Sequence, residues 1–240
     1  MPAVALQFVK RLLLPVAVLL ALMIGLGLLI TKVWEHSWPF TAEDGINREF
    51  AGDRDGFFNG VTWFFSTVAS TPVIIAVTAV VAIILRLTLH RWREALFLCA
   101  AVSAQAIVFF FTTLAIDRQR PRVPHMDESP PTSSFPSGHT SAAFALYVGL
   151  AVVLAMLTHR TWLKVLCWLL ILVPVSVAVS RLYRGMHHPS DVTASFINGA
   201  LCVWIMSRGV LDRTVPWSRA VLTGTRKTTT SGALDARTAA

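Results

Sequence analysis

Two long stretches of the chain carry no charged residue at all, residues 12–31 and residues 56–85. A helix that crosses the hydrocarbon core of a bilayer needs about 20 mostly apolar residues, and both stretches reach that length. The composition agrees, because 55% of the 240 residues are hydrophobic and only 14% are charged, whereas a soluble domain is about 25% charged. The sequence therefore predicts an all-α, polytopic membrane protein, and it argues against a disordered chain or an ordinary soluble enzyme.

Charged residues divide the chain into six predicted membrane helices. They are expected at residues 12–31, near 61–86, at 95–116, between His139 and His159, between Lys164 and Arg181, and between Asp191 and Arg208. The last two contain only 16 uncharged residues each, which is short for a full crossing. We expect Lys164 and Arg208 to extend toward the membrane surface, or polar helix ends to line a cavity within the protein.

The two ends of the chain are predicted to differ. Lys10 and Arg11 precede the first apolar run, as basic residues precede the core of a signal peptide. The run is longer than a usual signal core, and no Ala-x-Ala-like site follows it, so we expect it to stay in the protein as the first helix. Residues 1–210 are expected to form one membrane domain, and residues 211–240 a basic cytoplasmic tail that is disordered.

The distribution of Lys and Arg predicts the orientation, because short cytoplasmic loops are enriched in these residues. One side of the membrane receives most of them: Lys10, Arg11, Arg86, Arg91, Arg93, Arg160, Lys164, Arg208 and the tail. Both termini are therefore predicted to be cytoplasmic, and the loops 32–56, 117–139 and 181–191 extracytoplasmic. The last two of these loops contain five arginines, and arginines concentrated beside polar groups on that side suggest a chemical role.

The two arginine-containing loops hold groups that can bind a phosphate. Arg120 and Arg181 offer planar guanidinium groups that match phosphate oxygens. Ser137 and Gly138 stand where the fourth helix begins, and the unpaired N–H groups of a helix start attract anions. A glycine there lets the backbone approach a ligand closely. These groups predict a phosphate site without a metal ion or cofactor, and the His, Cys and carboxylate residues show no zinc-like spacing.

Histidines in the same loops suggest catalysis. His187 and Asp191 are four residues apart at the start of the sixth helix, so they can share a face. The carboxylate can then fix the imidazole tautomer and raise its basicity, which suits a nucleophile toward phosphorus. His188 competes for this role, since it lies three residues before Asp191. His139, beside the phosphate site, can protonate a leaving alkoxide and later activate water.

The remaining charged features have simpler interpretations. The acidic segment 41–56 is expected as an amphipathic helix on the membrane surface or as a solvated loop. Arg122 and Arg184 are either additional phosphate contacts or solvated loop charges. The net charge of +8 is attributed to loops and a tail that face anionic lipid, and nucleic-acid binding is not expected because the basic residues are scattered.

The order and spacing of these residues resembles the type 2 phosphatidic acid phosphatase superfamily, which shares its helical core with the vanadium haloperoxidases and glucose-6-phosphatase. The second family motif, Pro-Ser-Gly-His, is intact at residues 136–139, and the third, Ser-Arg, five residues, His, three residues, Asp, at residues 180–191. The first motif, Lys, six residues, Arg-Pro, is intact only at residues 120–121, because Thr113 stands at the lysine position. The resemblance spans about residues 57–208.

The resemblance implies a role for each of these residues. His187 would form a phosphohistidine intermediate, Asp191 would orient it, and His139 would act as the general acid. The residues expected to hold the phosphate are Arg120, Arg181, Ser137 and Gly138, with Arg118 in place of the missing lysine. No metal ion is implied.

The function implied by the resemblance is that of an integral membrane phosphatase that hydrolyses a phosphomonoester or diphosphate on a lipid of the bilayer. Phosphatidic acid, phosphatidylglycerol phosphate and polyprenyl diphosphate are all compatible substrates. Two alternatives stay open: a lipid phosphotransferase of the same clan, and a non-catalytic membrane protein that binds lipid phosphates, which the missing lysine keeps possible. The six crossings argue against a haloperoxidase.

Overall fold

The computed structural model of the protein describes residues 2–128 and 131–212, and the predicted tail lies outside the described residues from position 213 onward. Within these described residues, six helices are long and apolar enough to cross a membrane: α1 (Val4–Val33), α4 (Thr71–Leu89), α5 (Arg93–Ala115), α6 (Gly138–Leu157), α7 (Thr161–Tyr183) and α8 (Pro189–Leu211). Two further helices, α2 (Glu43–Gly52) and α3 (Gly56–Val68), lie between α1 and α4. The prediction of an all-helical, multi-pass membrane protein with six crossings is confirmed.

Three of the six membrane helices form the centre of the bundle. About half of α5, α6 and α8 is buried inside the protein, against less than a quarter of α1, α4 and α7. The central helices pack through apolar side chains such as Phe97, Leu146 and Cys202, which are fully buried. They also approach closely, since a Cβ on Gly199 would lie 2.7 Å from Cβ of Phe144. Large apolar residues that are exposed on the outward faces, as contact with lipid permits, include Ile83, Leu87, Phe110, Leu114 and Trp204.

The charge-free run 56–85 contains two helices, and the single crossing expected near 61–86 is shifted along the chain. α3 ends at Val68, and α4 begins at Thr71 with Pro72 in its first turn. Proline is favoured in the first turn of a helix and disfavoured in its interior, where it removes a hydrogen bond. The chain therefore breaks here, and α3 packs against α7 near the end of the bundle.

The last two crossings are longer than their uncharged runs. α7 and α8 have 23 residues each because both include charged positions. Arg181 and Asp191 are buried inside the protein, so their charges do not meet lipid. This is the arrangement expected when polar helix ends line a protein cavity.

The acidic segment 41–56 forms the amphipathic helix α2, but its polar face is packed against the protein. Glu43 and Asn47, which lie four residues apart on one face, are both buried. Arg48 and Glu49 are exposed. The segment is therefore part of the folded domain, and neither of the two expected arrangements describes it fully.

Candidate active site

Both motif loops reach the same end of the bundle, as the number of crossings between them predicts. The loop before α6 is joined to the loop between α7 and α8, where the N–H of Met126 donates to the carbonyl of Arg184 at 3.1 Å. α2 closes this end from one side, and Glu43 Oε1 accepts a hydrogen bond from the N–H of Ser190 at 2.7 Å. The charged side chains described below lie where these three segments meet.

His187 lies at the centre of this region with 4% of its surface exposed. Its Nδ1 is 2.7 Å from the backbone carbonyl oxygen of Ser134. Because a carbonyl can only accept, Nδ1 carries the proton and Nε2 is the basic nitrogen. Sequence reasoning did not identify this partner, since every residue has a backbone carbonyl and the residue pattern does not distinguish one from another.

Asp191 lies close to His187, but not on a shared helix face, because α8 begins at Pro189 with His188 as its N-cap and His187 precedes it. Asp191 also does not hold the imidazole by a hydrogen bond. Its Oδ2 is 3.8 Å from Nδ1 of His187. The same oxygen accepts the N–H of His188 at 2.8 Å, which caps α8, and Oδ1 is bound by the guanidinium of Arg118. In this arrangement the ring hydrogen bond of His187 is made with the Ser134 carbonyl, and the expected hydrogen bond between Asp191 and the ring is not formed.

The surroundings of His187 keep its imidazole neutral. Burial lowers the pKa of His187 from its ordinary 6.5 to about 4, Arg181 and Arg120 act in the same direction, and Asp191 opposes them. Because this pKa lies well below 7, the ring is uncharged at neutral pH. The lone pair on Nε2 is then available for nucleophilic attack.

The competing histidine, His188, faces α2. Its Nε2 is 3.4 Å from Oδ1 of Asp44, and its Nδ1 is 3.4 Å from Oδ2 of Asp191. His187, by contrast, is the ring on which the charges of Arg181 and Arg120 act. The geometry therefore favours His187 as the residue next to the phosphate site.

Arg120 and Arg181 bring two guanidinium groups to the candidate nucleophile. Nη1 of Arg120 donates to the carbonyl of Met186 at 2.8 Å, and Nη1 of Arg181 donates to Oγ of Ser66 and Oδ2 of Asp127, each at 2.6 Å. The Nε atoms of both arginines are buried, and neither has a hydrogen-bond acceptor among residues 2–128 and 131–212. Since a buried N–H without a partner is costly, these two donors are available to phosphate oxygens.

Asp127 is a carboxylate that sequence reasoning missed, and it lies between Arg181 and Arg184. Its Oδ1 accepts hydrogen bonds from Nε and Nη2 of Arg184 at 2.9 and 2.6 Å. Burial raises the pKa of Asp127, but the hydrogen bonds and charges of the two arginines outweigh this and hold the pKa below its ordinary value. The sequence did contain one indication of such a residue, because five arginines in two loops require carboxylates nearby to balance their charge. Arg184 is buried and belongs to the site, whereas Arg122 is exposed.

Ser137 and Gly138 begin α6, as predicted, but their nearest contacts are within the protein. Oγ of Ser137 accepts hydrogen bonds from Oγ1 and the N–H of Thr140 at 3.0 and 3.4 Å, which caps the helix. The N–H of Ser137 donates to Oγ of Ser195 at 2.7 Å. A Cβ on Gly138 would lie 2.9 Å from the ring of Phe109. Glycine is therefore required at this position to make room for the ring of Phe109, whereas the reason expected from the sequence was the approach of a ligand.

His139 is the second residue of α6 and is half-buried. It lies within electrostatic range of His187, Arg181, Asp127 and Arg120. The structure thus brings both motif histidines and both motif arginines to one place, as the sequence predicts.

Arg118 has carboxylate partners and does not present a free charge to the phosphate site. Its Nη2 is 2.7 Å from Oε2 of Glu43, and its Nη1 is bound to Asp191. A guanidinium between two carboxylates is already neutralised, so this arrangement does not support the expectation that Arg118 replaces the missing lysine. Thr113, at the lysine position, donates a hydrogen bond to the carbonyl of Ser133 at 3.4 Å.

Comparison with known proteins identifies the family. Residues 94–214, which are 121 of the 240 residues, match the model of the PAP2 superfamily. The chain is 27% identical over 183 residues to the lipid A 4'-phosphatase of Bacteroides thetaiotaomicron, covering 65% of this chain and 77% of that protein. It is 36% identical over 93 residues to the undecaprenyl-diphosphatase of Sulfolobus acidocaldarius, covering 37% of this chain and 41% of that protein.

Solved structures show the same fold. The transmembrane PAP2 type phosphatidylglycerolphosphate phosphatase from Bacillus subtilis superposes with a TM-score of 0.67 at 20% identity, over 80% of this chain and 94% of that one. Aquifex aeolicus LpxE superposes with a TM-score of 0.52 at 22% identity, over 70% of this chain and 96% of that one.

The six-helix fold, the two intact motifs and these relatives identify the protein as a membrane-embedded lipid phosphatase. The chain belongs to the PAP2 superfamily, and the resemblance drawn from the motifs is confirmed.

Proposed function

We propose that the protein hydrolyses a phosphomonoester or diphosphate on a membrane lipid through a phosphohistidine intermediate and without a metal ion. In the first step, Nε2 of His187 attacks phosphorus, and the bond from phosphorus to the leaving oxygen breaks while His139 gives that oxygen a proton. In the second step, water attacks the phosphohistidine and His139 takes a proton from it. Inorganic phosphate leaves, and His187 is restored.

The state of His187 is the observation that carries this proposal. Its Nδ1 proton is directed to the Ser134 carbonyl, and its pKa of about 4 leaves the ring neutral. The unpaired Nε donors of Arg120 and Arg181 are buried in the same region. Guanidinium donors in such a place stabilise the negative charge on the oxygens of a transferring phosphoryl group.

The position of the site supports a lipid substrate. α6 and α8 begin at the site and run along the bundle. When Arg120 and Arg181 hold the phosphate of a lipid, the hydrocarbon chains of that lipid can therefore lie beside apolar helices. The relatives named above act, by their names, on lipid A and on undecaprenyl diphosphate. We therefore propose an amphiphilic lipid with a terminal phosphate or diphosphate. Of the three lipid classes that the motif resemblance implies, polyprenyl diphosphate is the one that matches the name of a relative found by sequence.

We propose that the site faces the extracytoplasmic side. The connections after α4 and α6, which carry Arg91 and Arg160, lie at the opposite end of the bundle from His187. The arginines of the motif loops were the main evidence against this orientation, since basic loops favour the cytoplasm. Of these five arginines, Arg118 and Arg184 are bound by carboxylates, and Arg120 and Arg181 are the proposed phosphate ligands, so four of the five have a role at the site.

A panel of lipid phosphates tests the proposal with the full chain purified in detergent. Phosphate release is measured from phosphatidic acid, phosphatidylglycerol phosphate, a polyprenyl diphosphate and lipid A, with and without an added lipid alcohol as acceptor. The parent should release phosphate from at least one lipid without an acceptor, His187→Ala should abolish release, and the matched variant His188→Ala should retain most of it.

Two results would overturn the proposal. Near-parental turnover of His187→Ala with an inactive His188→Ala would assign the wrong histidine. Transfer that occurs only when the acceptor is present would make the protein a phosphotransferase. Acid quenching during turnover should also trap a phosphorylated parent protein, and the His187→Ala variant should remain unlabelled.

A further inference from the structure

We infer that α2 belongs to the catalytic apparatus, with Glu43 and Asn47 as positioning residues for His187 and Asp191. The inference rests on the proposed function, because it assumes that His187 is the nucleophile. α2 lies outside residues 94–214, the part of the chain that matches the family model. The family motifs, which lie within residues 94–214, therefore do not indicate whether α2 has a role in the reaction.

Glu43 connects α2 to Asp191 through one shared guanidinium. Only 5% of its surface is exposed, and its Oε1 accepts the N–H of Ser190 at 2.7 Å. Its Oε2 accepts hydrogen bonds from Nη2 of Arg118 at 2.7 Å and from Oγ of Ser190 at 3.1 Å. Since Arg118 also binds Asp191, a continuous chain of charged contacts runs from Glu43 to a carboxylate 3.8 Å from Nδ1 of His187.

The charges of Glu43, Arg118 and Asp191 explain why a second carboxylate is needed. Arg118 alone would neutralise Asp191, and the pair would have no net charge beside the imidazole. With Glu43 included, two carboxylates share one guanidinium and the group carries a net charge of −1. That charge favours the positive charge that develops on the His187 ring when Nε2 bonds to phosphorus.

Asn47 holds the backbone of the nucleophile directly. It lies one helical turn after Glu43 on the same face and is fully buried. Its Nδ2 donates to the carbonyl of His187 at 3.0 Å and lies 3.5 Å from the carbonyl of Leu182. The backbone after Leu182 forms a helix-ending turn, in which the N–H of Gly185 donates to the carbonyl of Leu182 at 2.9 Å and the N–H of Met186 to that of Arg181 at 3.0 Å, with Gly185 left-handed at φ of 73°. His187 follows this turn and precedes α8. An external contact is therefore well placed to fix it.

A purely structural role would not require these residue types. Burying a carboxylate is expensive, and replacing a buried ion pair by apolar side chains is often neutral or stabilising. A helix that only covered the end of the bundle would be expected to place apolar side chains at both buried positions. The burial of Glu43 and Asn47 is explained by their hydrogen bonds to Arg118, to Ser190 and to the carbonyl of His187.

The test compares Glu43→Gln with Glu49→Gln, an identical change at an exposed position of the same helix. Steady-state kinetics of the full chain use the best lipid phosphate from the panel. Glu43→Gln should lower kcat by about tenfold or more, since a misplacement of about 1 Å at a catalytic group can cost about 100-fold. KM should change little, because Arg120 and Arg181 are untouched, and Glu49→Gln should match the parent in both constants.

A double-mutant cycle separates positioning from general stability. If Glu43 acts through Arg118, adding Glu43→Gln to Arg118→Gln should cause little further loss of kcat. Asn47→Ala provides a second variant if Glu43→Gln does not fold, and it should also lower kcat with little change in KM. Thermal unfolding of each variant in detergent is recorded alongside.

The outcomes distinguish the two proposals. A parent that is inactive on every lipid phosphate, or an active His187→Ala, contradicts the proposed function itself. An active parent with an inactive His187→Ala, but parental kcat in Glu43→Gln and Asn47→Ala, overturns only the role of α2. Losses that multiply in the double variant, or that follow the loss of folded protein, also overturn it.

Discussion

Replacing Asp191 by Asn distinguishes between two ways of supporting the histidine nucleophile. The change keeps the shape of the side chain, and the amide oxygen can still accept the N–H of His188 that caps α8. It removes the negative charge 3.8 Å from Nδ1 of His187. Because the Ser134 carbonyl holds the Nδ1 proton, we expect the tautomer to survive the substitution.

The size of the effect follows from the distance. Two unit charges about 4 Å apart interact by about 4 kcal/mol at an effective dielectric constant of about 20. Arg118, bound to the same carboxylate, offsets part of this, and a loss of about 3 kcal/mol in transition-state stabilisation corresponds to about 100-fold in kcat. If Asp191 set the tautomer itself, its removal would cost about 10⁴-fold, as for an orienting carboxylate in a catalytic triad.

The assay is phosphate release under saturating lipid phosphate, with Asp53→Asn, a matched change at an exposed position, as the control. Asp191→Asn should lose about 100-fold in kcat, and the control should equal the parent. A loss near 10⁴-fold would show that Asp191, and not the Ser134 carbonyl, orients His187. A parental rate would show that its charge has no part in the reaction.

Other expected outcomes concern the metal, the arginines and the orientation. Turnover should persist in EDTA without added Mg²⁺ and be inhibited by vanadate, which adopts five-coordinate geometry; strict dependence on Mg²⁺ would contradict a metal-free reaction. Arg118→Ala should lower kcat far more than Arg122→Ala, because only the latter side chain is exposed; equal kinetics would refute a role for the former. Asp127→Asn should lower KM by about tenfold, since charge-assisted hydrogen bonds of about 1.5–3 kcal/mol no longer compete with the substrate phosphate; a raised KM would mean that the carboxylate prepares the site. In an otherwise cysteine-free chain on intact cells, a membrane-impermeant thiol reagent should label Glu128→Cys and spare His159→Cys, and the reverse pattern would place the site in the cytoplasm.

The sequence by itself determined the number of crossings, the end of the bundle that holds the motifs, and the identity of the family. The thickness of the hydrocarbon core sets the length of an apolar run, so six crossings can be counted from the chain. An even number of crossings between two loops returns them to the same side. The short spacing of His187 and Asp191 placed them close together, but helix periodicity was the wrong reason, because α8 begins at Pro189 and His187 precedes it.

The local breaks were harder to place from the sequence. Thr71 and Pro72 begin a new helix inside an uncharged run that could equally have been one helix, and hydropathy does not register this because both helices are apolar. Gly138 was attributed to the approach of a ligand, whereas the ring of Phe109, 29 positions earlier, occupies the space beside it.

Only the tertiary structure decided which charged groups meet. Glu43 contacts Ser190 and Asp127 contacts Arg181, pairs separated by 147 and 54 positions. Many pairings of acidic residues with five loop arginines are compatible with the sequence, and the folded backbone selects among them. The acceptor that fixes the His187 tautomer is a main-chain carbonyl, a group that every residue carries, so its role comes from its position in space and not from its residue type.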